Sequence, residues 1–483
     1  MPAASEYAGW LRPALIAVGL VTIARLVLLA FNRTDLFVDE SQYWLWGQSL
    51  DFGYYSKPPL IAWVIRAVTA LAGSDSPFWV RMPGAVLHGA TALILAAAAA
   101  RIWGARTGFW VALSYVTVPF ATVGSLLIST DTIMAPCYAT AIYAWVRLSE
   151  GRRAPWALLA GAAIGLAFLA KYAAIYFLLG AGLAAALVPL ARIGWGNAPW
   201  VLLAFAAVIA PNVVWNLTHD LTTVSHTMDN VGWVRAQGQA GGLNPAGLAE
   251  FFFSQFAVFG PVLFGALLWA LGPMWRAGGI GRALVLLSLP VLVIVSVQAL
   301  ADKAYANWAV ATYFAGSLIA VRFLLDRAPR LLPVSVALNG AIAVALPVLT
   351  ITAPAPILNE APLMKRYLGR AELSRQILAT AVAKGVSGIY AEDRDVLADL
   401  FYTGAGAGLS FYAPRPAGRP HNYYEQTFPL PDAPGPVLYV LGAAPVCVGV
   451  PVPPVAEFAT GGGAYAGRSL AAYVLPEGCS LAP

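Results

Sequence analysis

The chain has 483 residues, 59% hydrophobic and only 11% charged, with a mean hydropathy of +0.70. Soluble globular chains hold roughly 45–50% apolar residues, so this composition excludes that class and indicates a polytopic membrane protein. The net charge of +6 comes without a Lys/Arg-rich tract or a stacking motif, which excludes a nucleic-acid partner and assigns the excess to arginines in cytoplasmic loops.

A helix needs about 20 apolar residues to cross the hydrocarbon. In chain order the apolar runs predict about eleven spans: 13–31, 82–100, 108–127, 133–148, 156–170, 173–190, 200–215, 255–271, 283–300, 308–324 and 332–351. The first run lacks a small-residue cleavage site and is read as a retained helix. With the N-terminus cytoplasmic, the inner loops carry Arg101 and Arg106, Arg152 and Arg153, Arg276 and Arg282, and Arg327 and Arg330. This satisfies the positive-inside rule and leaves the tail on the outer side.

The first outer loop holds two shorter segments, about 40–50 and 60–71, that suit interfacial helices. They are joined across 53–59, where Pro58-Pro59 enforces extended backbone after Lys57. The second long outer loop, 216–254, includes a Gly/Gln-rich piece, 236–242, expected to act as a lid. Its Asn216-Leu217-Thr218 sequon is read as a chance match. From 352 onward Pro, Gly, Asp and Arg return. A helical spacing over 363–384 and strands at 386–391, 409–412 and 437–441 predict a small α/β domain. The expected domains are therefore a membrane module, 1–351, and a periplasmic α/β domain, 352–483. The three cysteines are too few for a disulfide framework or a zinc cage. Cys137 reads as a core residue, and Cys447 and Cys479 would pair in an oxidising compartment.

Under this topology the unusual polar residues fall on one side. Asp39, Glu40 and Lys57 lie among Tyr43, Trp44, Trp46, Tyr54 and Tyr55 in the first outer loop. Asp131, Lys171, His219 with Asp220 and His226, and Asp302 with Lys303 and Tyr305 follow in later outer loops. A bland account exists for each: an aromatic belt around the first loop, a helix cap from Asp131 with Thr130 alongside, a snorkelling Lys171, and a Lys303–Asp302 pair. His219 and His226 are too weak a signal for a metal site. The shared side nonetheless points to one outward-facing site rather than a conduction path, which would put ionisable groups along the depth of the bundle. A carboxylate can serve as general base on a hydroxyl, and lysines can neutralise phosphate. Together they suit group transfer from a phosphate leaving group, although a base alone would equally suit hydrolysis. No G-x-x-x-x-G-K-[ST] loop is present, which argues against a nucleoside triphosphate as energy source. The competing readings are a transporter or flippase of lipid-linked saccharides, although the sequence has no inverted repeat, and a lipid-phosphate hydrolase.

The run VDESQYWLWGQSLDFGYYSKPPLIAW followed by SPFWVRMPGA resembles the first outer loop of bacterial GT-C glycosyltransferases. It is most similar to family 39/83-like enzymes, of the protein-mannosyltransferase and aminoarabinose-transferase type. STDTIMAPCYATAIYAW, GLAFLAKYAAIYFLL, PNVVWNLTHD and KAYANWAVATYFAG match in the same order, so that the resemblance covers about residues 10–325. It implies a GT-C-like helical fold and an inverting transferase in the bacterial inner membrane, with its site on the periplasmic face. The implied partners are a polyprenyl-phosphate sugar donor (undecaprenyl by expectation), a glycolipid such as lipid A or a protein hydroxyl as acceptor, and membrane lipids. No cofactor is expected. By the same resemblance Asp39 is the general base, Glu40 supports it or holds the loop, and Asp131 is the second acid of the site. Lys57 and Lys171 would contact the donor phosphate, and Lys303 and Tyr305 would line the donor pocket with His219 at its rim. Tyr54, Tyr55 and Tyr172, next to these lysines, are counted with the substrate-binding residues.

Overall fold

The structure, a computed structural model, describes residues 9–230, 242–359, 361–447, 449–458, 462–476 and 479. The expected lid, 236–242, lies outside the described residues except for Gly242. Among the described residues sixteen α-helices precede the tail: α1 Leu11–Ala30, α2 Val38–Gln48, α3 Leu60–Ala72, α4 Pro77–Trp103, α5 Ala105–Thr117, α6 Pro119–Leu126, α7 Thr130–Gly151, α8 Ala154–Ala170, α9 Ile175–Leu187, α10 Ala198–Thr218, α11 Thr222–Asn230, α12 Pro245–Phe259, α13 Pro261–Ala277, α14 Gly279–Ala301, α15 Ala311–Arg327 and α16 Leu331–Ile351. Among the described residues α1, α4, α10, α14 and α16 are long and apolar enough to cross a membrane. The number rises to seven if each of two bent pairs is one span. The eleven expected spans also count shorter or more polar helices, such as α8, α7 and α15.

One expected span, 255–271, is not a single helix. It straddles the junction of α12 and α13, which turn by 113° at Gly260-Pro261. Hydropathy averages through this break. Gly260 has φ +89°, a conformation open mainly to glycine. Pro261 then starts the next helix without needing an amide donor. The 108–127 run is likewise broken, by 52°, between α5 and α6 at Pro119.

The chain divides into two compact units. The first comprises 1–30, 57–64 and 81–347. Its helices approach closely where small residues allow it. A Cβ on Gly161 of α8 would lie 2.2 Å from the Val201 carbonyl oxygen of α10, and one on Gly165 would lie 2.8 Å from the Val208 side chain. This is the small-xxx-small packing of membrane helices, in which van der Waals contact replaces a hydrophobic driving force. Buried polar groups inside the unit are partnered only in part, and Arg25 Nε and Nη1 have no hydrogen-bond partner among the described residues. Arg25 of α1 is 3% exposed and donates from Nη2 to the Val116 carbonyl (2.7 Å) and Thr122 Oγ1 (2.9 Å), because an unpaired charge there is costly.

The second unit comprises 31–56, 65–80 and 348–483. Its tail carries α17 Arg370–Ala383, α18 Arg394–Thr403 and α19 Tyr423–Thr427. Its described residues also form nine strands: β1 Ile357–Leu358, β2 Ala361–Pro362, β3 Gly388–Ala391, β4 Ser410–Tyr412, β5 Val437–Leu441, β6 Val446–Cys447, β7 Val450–Pro451, β8 Ala456–Phe458 and β9 Leu470–Tyr473. The main sheet has the order β4-β3-β5-β9-β8. Strands β4, β3 and β5 are parallel, with Gly388 facing Ser410 and Val437, and β9 and β8 run antiparallel. Every residue of β3 and β5 is buried, as expected of parallel strands covered on both faces. The three expected strands coincide with β3, β4 and β5. The expected helix at 363–384 begins later, at Arg370, after Gly369 with φ +80°. Cys447 and Cys479 form a disulfide, with Cα atoms 5.8 Å apart.

Within this unit the first loop and the tail interlock. Asp35 N–H donates to the Tyr367 carbonyl (2.9 Å), and Asp35 Oδ2 accepts from Arg370 N–H (2.8 Å). The Arg366 and Arg370 guanidinium carbons lie 4.7 and 5.4 Å from the Phe37 ring centroid. Trp44 meets the edge of Tyr402 at 5.0 Å, and Tyr55 donates to the Pro420 carbonyl at 2.9 Å.

Candidate active site

The second unit holds the Asp-Glu pair. Both residues lie in the first turn of α2, where the exposed amides and the helix dipole favour negative charge. They do different things. Glu40 is 2% exposed, and its Oε2 accepts from Phe37 N–H at 2.9 Å, the return half of a capping box. This is the geometry of a residue that holds the loop. Asp39 has a side chain 48% exposed. Its Oδ1 accepts from Arg394 Nη2 at 2.6 Å, and no hydrogen bond from a described residue reaches Oδ2. Arg394, the first residue of α18, also reaches Gln42 Oε1 from Nε (3.2 Å) and Nη2 (2.9 Å). Burial opposes the Arg394 charge, but Asp39 outweighs it and holds the guanidinium above its ordinary range.

The tyrosines of this loop are engaged internally. Tyr54 is 5% exposed and stacks on Trp46, with centroids 4.7 Å apart and planes 4° from parallel. Its hydroxyl lies 3.0 Å from the Trp46 carbonyl and 3.1 Å from that of Ser49, and accepts from Asp51 N–H at 3.0 Å. Burial raises the Tyr54 pKa. A cavity of about 650 Å³ in this unit is lined by Trp44, Asp75, Phe401, Phe411 and Phe428 among others, but not by Asp39 or Arg394. It receives no catalytic role.

In the first unit Asp131 lies in the first turn of α7. The cap is Ser129, whose hydroxyl accepts from Thr132 N–H, so neither Asp131 nor Thr130 fills that role. Instead Lys171 Nζ contacts both Asp131 oxygens, at 2.8 and 2.9 Å, and Asn307 Nδ2 donates to Oδ2 at 2.8 Å. The two charged side chains are 11% and 17% exposed. Lys171 is therefore a paired cation rather than a snorkelling one. It sits in extended backbone between α8 and a 3₁₀ turn that begins at Tyr172. Tyr172 donates to Asn212 Oδ1 (3.0 Å) and accepts from Asn216 Nδ2 (3.1 Å).

Of the remaining expected residues, Lys57 is half-buried in the linker before Pro58. His219 ends α10 and stacks on Trp215, with centroids 4.2 Å apart. Lys303 is exposed with its ammonium 6.0 Å from the Tyr305 ring centroid, and Tyr305 is 54% exposed. No Lys303–Asp302 ion pair occurs among the described residues. No group of three or more His, Cys, Asp or Glu among the described residues could hold a metal ion.

Three partners escaped the sequence reading: Gln42, Asn307 and Arg394. Gln42 and Asn307 stand inside the motifs VDESQYW and KAYANWA, where they could have been flagged as polar residues near a charge. Arg394, in AEDRDV, lies 355 residues from Asp39, and no local pattern points to it.

The family described as dolichyl-phosphate-mannose-protein mannosyltransferase matches residues 56–215. Over 467 residues, 96% of this chain and 97% of the relative, the sequence is 43% identical to the lipid A galacturonosyltransferase RgtD of Rhizobium johnstonii. The fold is similar to that of ArnT from Cupriavidus metallidurans bound to undecaprenyl phosphate. That match has a TM-score of 0.65 and 15% identity, and covers 95% of this chain and 97% of the other. The apo form of ArnT gives a TM-score of 0.61 at 14% identity, covering 88% and 92%. The chain belongs to the GT-C superfamily of glycosyltransferases. It is a membrane glycosyltransferase, similar along nearly its whole length to a lipid A galacturonosyltransferase. The likeness does not stop near residue 325, as the motifs alone indicated, but continues through the tail.

Proposed function

We propose that the enzyme moves a uronic acid, galacturonate by analogy with its relative, from a polyprenyl-phosphate donor to lipid A at the periplasmic face of the inner membrane, with inversion. The observation that carries this is the 43% identity over 96% of the chain to a lipid A galacturonosyltransferase. The fold shared with a protein solved with undecaprenyl phosphate supports the class of donor. In this reading Asp39 Oδ2, on a half-exposed side chain with no hydrogen bond from a described residue, takes the proton of the acceptor hydroxyl. The acceptor oxygen bonds to the anomeric carbon from the face opposite the phosphate. The C–O bond to the phosphate breaks, and the electron pair leaves with polyprenyl phosphate. Lys57 and Lys171 offset the negative charge that accumulates there. With two N–H groups of Lys171 directed at Asp131, its third remains for a phosphate oxygen. Asp131 and Asn307 fix that ammonium. Lys303, Tyr305 and His219 are assigned to the donor pocket and its rim, and Tyr172 to holding the segment that carries Lys171. Tyr54 and Tyr55 keep the first loop in shape rather than touch substrate.

The test is to incubate purified enzyme with lipid A and, separately, uronosyl, aminopentosyl and mannosyl polyprenyl phosphates, and to identify the lipid product by mass spectrometry and its anomeric configuration by NMR. Addition of one uronosyl unit with inverted configuration is expected. Transfer of only another sugar would overturn the sugar assignment, and a retained configuration would overturn the single-displacement mechanism.

A further inference from the structure

We propose that Arg394 is the positioning residue for Asp39, selecting which carboxylate oxygen faces the acceptor. This rests on the reading of Asp39 as the base and extends it to a residue of the tail. The guanidinium lies across the first turn of α2, with Nη2 on Asp39 Oδ1 and both Nε and Nη2 on Gln42 Oε1, one turn further along. A planar fork held at two residues of one helix turn has little freedom to rotate. Asp39 Oδ1 is thereby occupied and Oδ2 is left open.

The start of α18 is itself fixed. Asp393 caps the helix by accepting from Asp395 N–H at 2.7 Å and pairs with Arg468. Asp395 has Arg370 at 3.8 Å, and its carbonyl accepts from Tyr465 at 2.9 Å. Arg370 in turn donates its amide to Asp35, four residues before Asp39. The anchor and the carboxylate it holds are therefore tied to one another on both sides. The other ionisable groups that act on the Asp39–Arg394 pair are Tyr43 of α2 and Tyr424 of α19.

The experiment uses the full-length enzyme in detergent with a polyprenyl-phosphate uronosyl donor and lipid A, comparing wild type with Arg394→Gln, Arg394→Lys and Asp39→Asn. Arg394→Gln is expected to lower kcat about 100-fold with KM within about threefold. Arg394→Lys restores the charge without the fork, so kcat should recover only in part. In an Asp39→Asn background Arg394→Gln should change the residual rate little. If Arg394→Gln keeps wild-type kcat while Asp39→Asn is inactive, the positioning role is wrong and the base assignment stands. If Asp39→Asn is as active as wild type, the base assignment falls and the positioning role with it. If Arg394→Gln loses its fold, the lysine variant decides, and a folded Arg394→Lys with wild-type kcat refutes the proposal.

Discussion

Replacing Lys171 by Met tests whether the Asp131–Lys171 pair organises the membrane unit. Both side chains are largely buried, and the ammonium contacts both carboxylate oxygens within 2.9 Å. Removing one partner of a buried pair costs about 3–5 kcal/mol, because the other charge is left uncompensated. Asn307 would still donate to Asp131 Oδ2, and some exposure remains, so the expected cost is about 2–3 kcal/mol. Asp131→Asn should cost a similar amount by stranding the lysine. The double variant Lys171→Met/Asp131→Asn leaves no unpaired charge, and should be at least about 1 kcal/mol more stable than the sum of the single losses predicts. The assay is denaturant unfolding of detergent-solubilised protein, followed by the fraction that elutes folded on size exclusion. Strictly additive losses would refute the pairing. Single variants as stable as wild type would show that the pair does not hold the helices.

Three further outcomes are expected. Tyr54→Phe removes a hydroxyl in contact with two carbonyls and one amide, and should cost about 1–3 kcal/mol of stability while leaving the donor KM unchanged. A large KM effect at unchanged stability would return Tyr54 to the substrate site. Gly260→Ala places a Cβ at φ +89° and 2.3 Å from Asn339 Oδ1, so a loss of about 1–3 kcal/mol in the unfolding assay is expected, and a neutral change would contradict the sharp turn between α12 and α13. Opening the Cys447–Cys479 disulfide by Cys479→Ser frees a link spanning 32 residues, and should lower stability by about 3–4 kcal/mol, visible as a lower denaturant midpoint that reductant produces in wild type but not in the variant.

The parts legible in the sequence were those with a local pattern. The segments expected at 40–50 and 60–71 correspond to α2 and α3, and the second is a short apolar run between Pro59 and Gly73 with few alternatives. Strands β3, β4 and β5 were readable as apolar runs between turn residues. What escaped depends on contacts between distant residues or on backbone geometry. The break at Gly260 is invisible to hydropathy because both flanking helices are apolar. Helix α18 was missed because its acid-rich start reads as loop, although Asp393 followed by the Val396, Leu397 and Leu400 spacing carries a helix signal. In the site, Asp39 stood out by its position among aromatic residues, but Arg394 and the Asp131–Lys171–Asn307 cluster join residues 40 to 355 positions apart. Charge composition limits which partners exist without choosing among them.

The most direct test of the account is transfer of labelled sugar from polyprenyl phosphate to lipid A by wild type and by Asp39→Asn, both shown to be folded. The account predicts a labelled lipid A product for wild type and a rate about 10²–10⁴-fold lower for the variant. Equal transfer by the two proteins would contradict Asp39 as the base, and absence of any labelled lipid A with active wild-type protein would contradict the assigned acceptor.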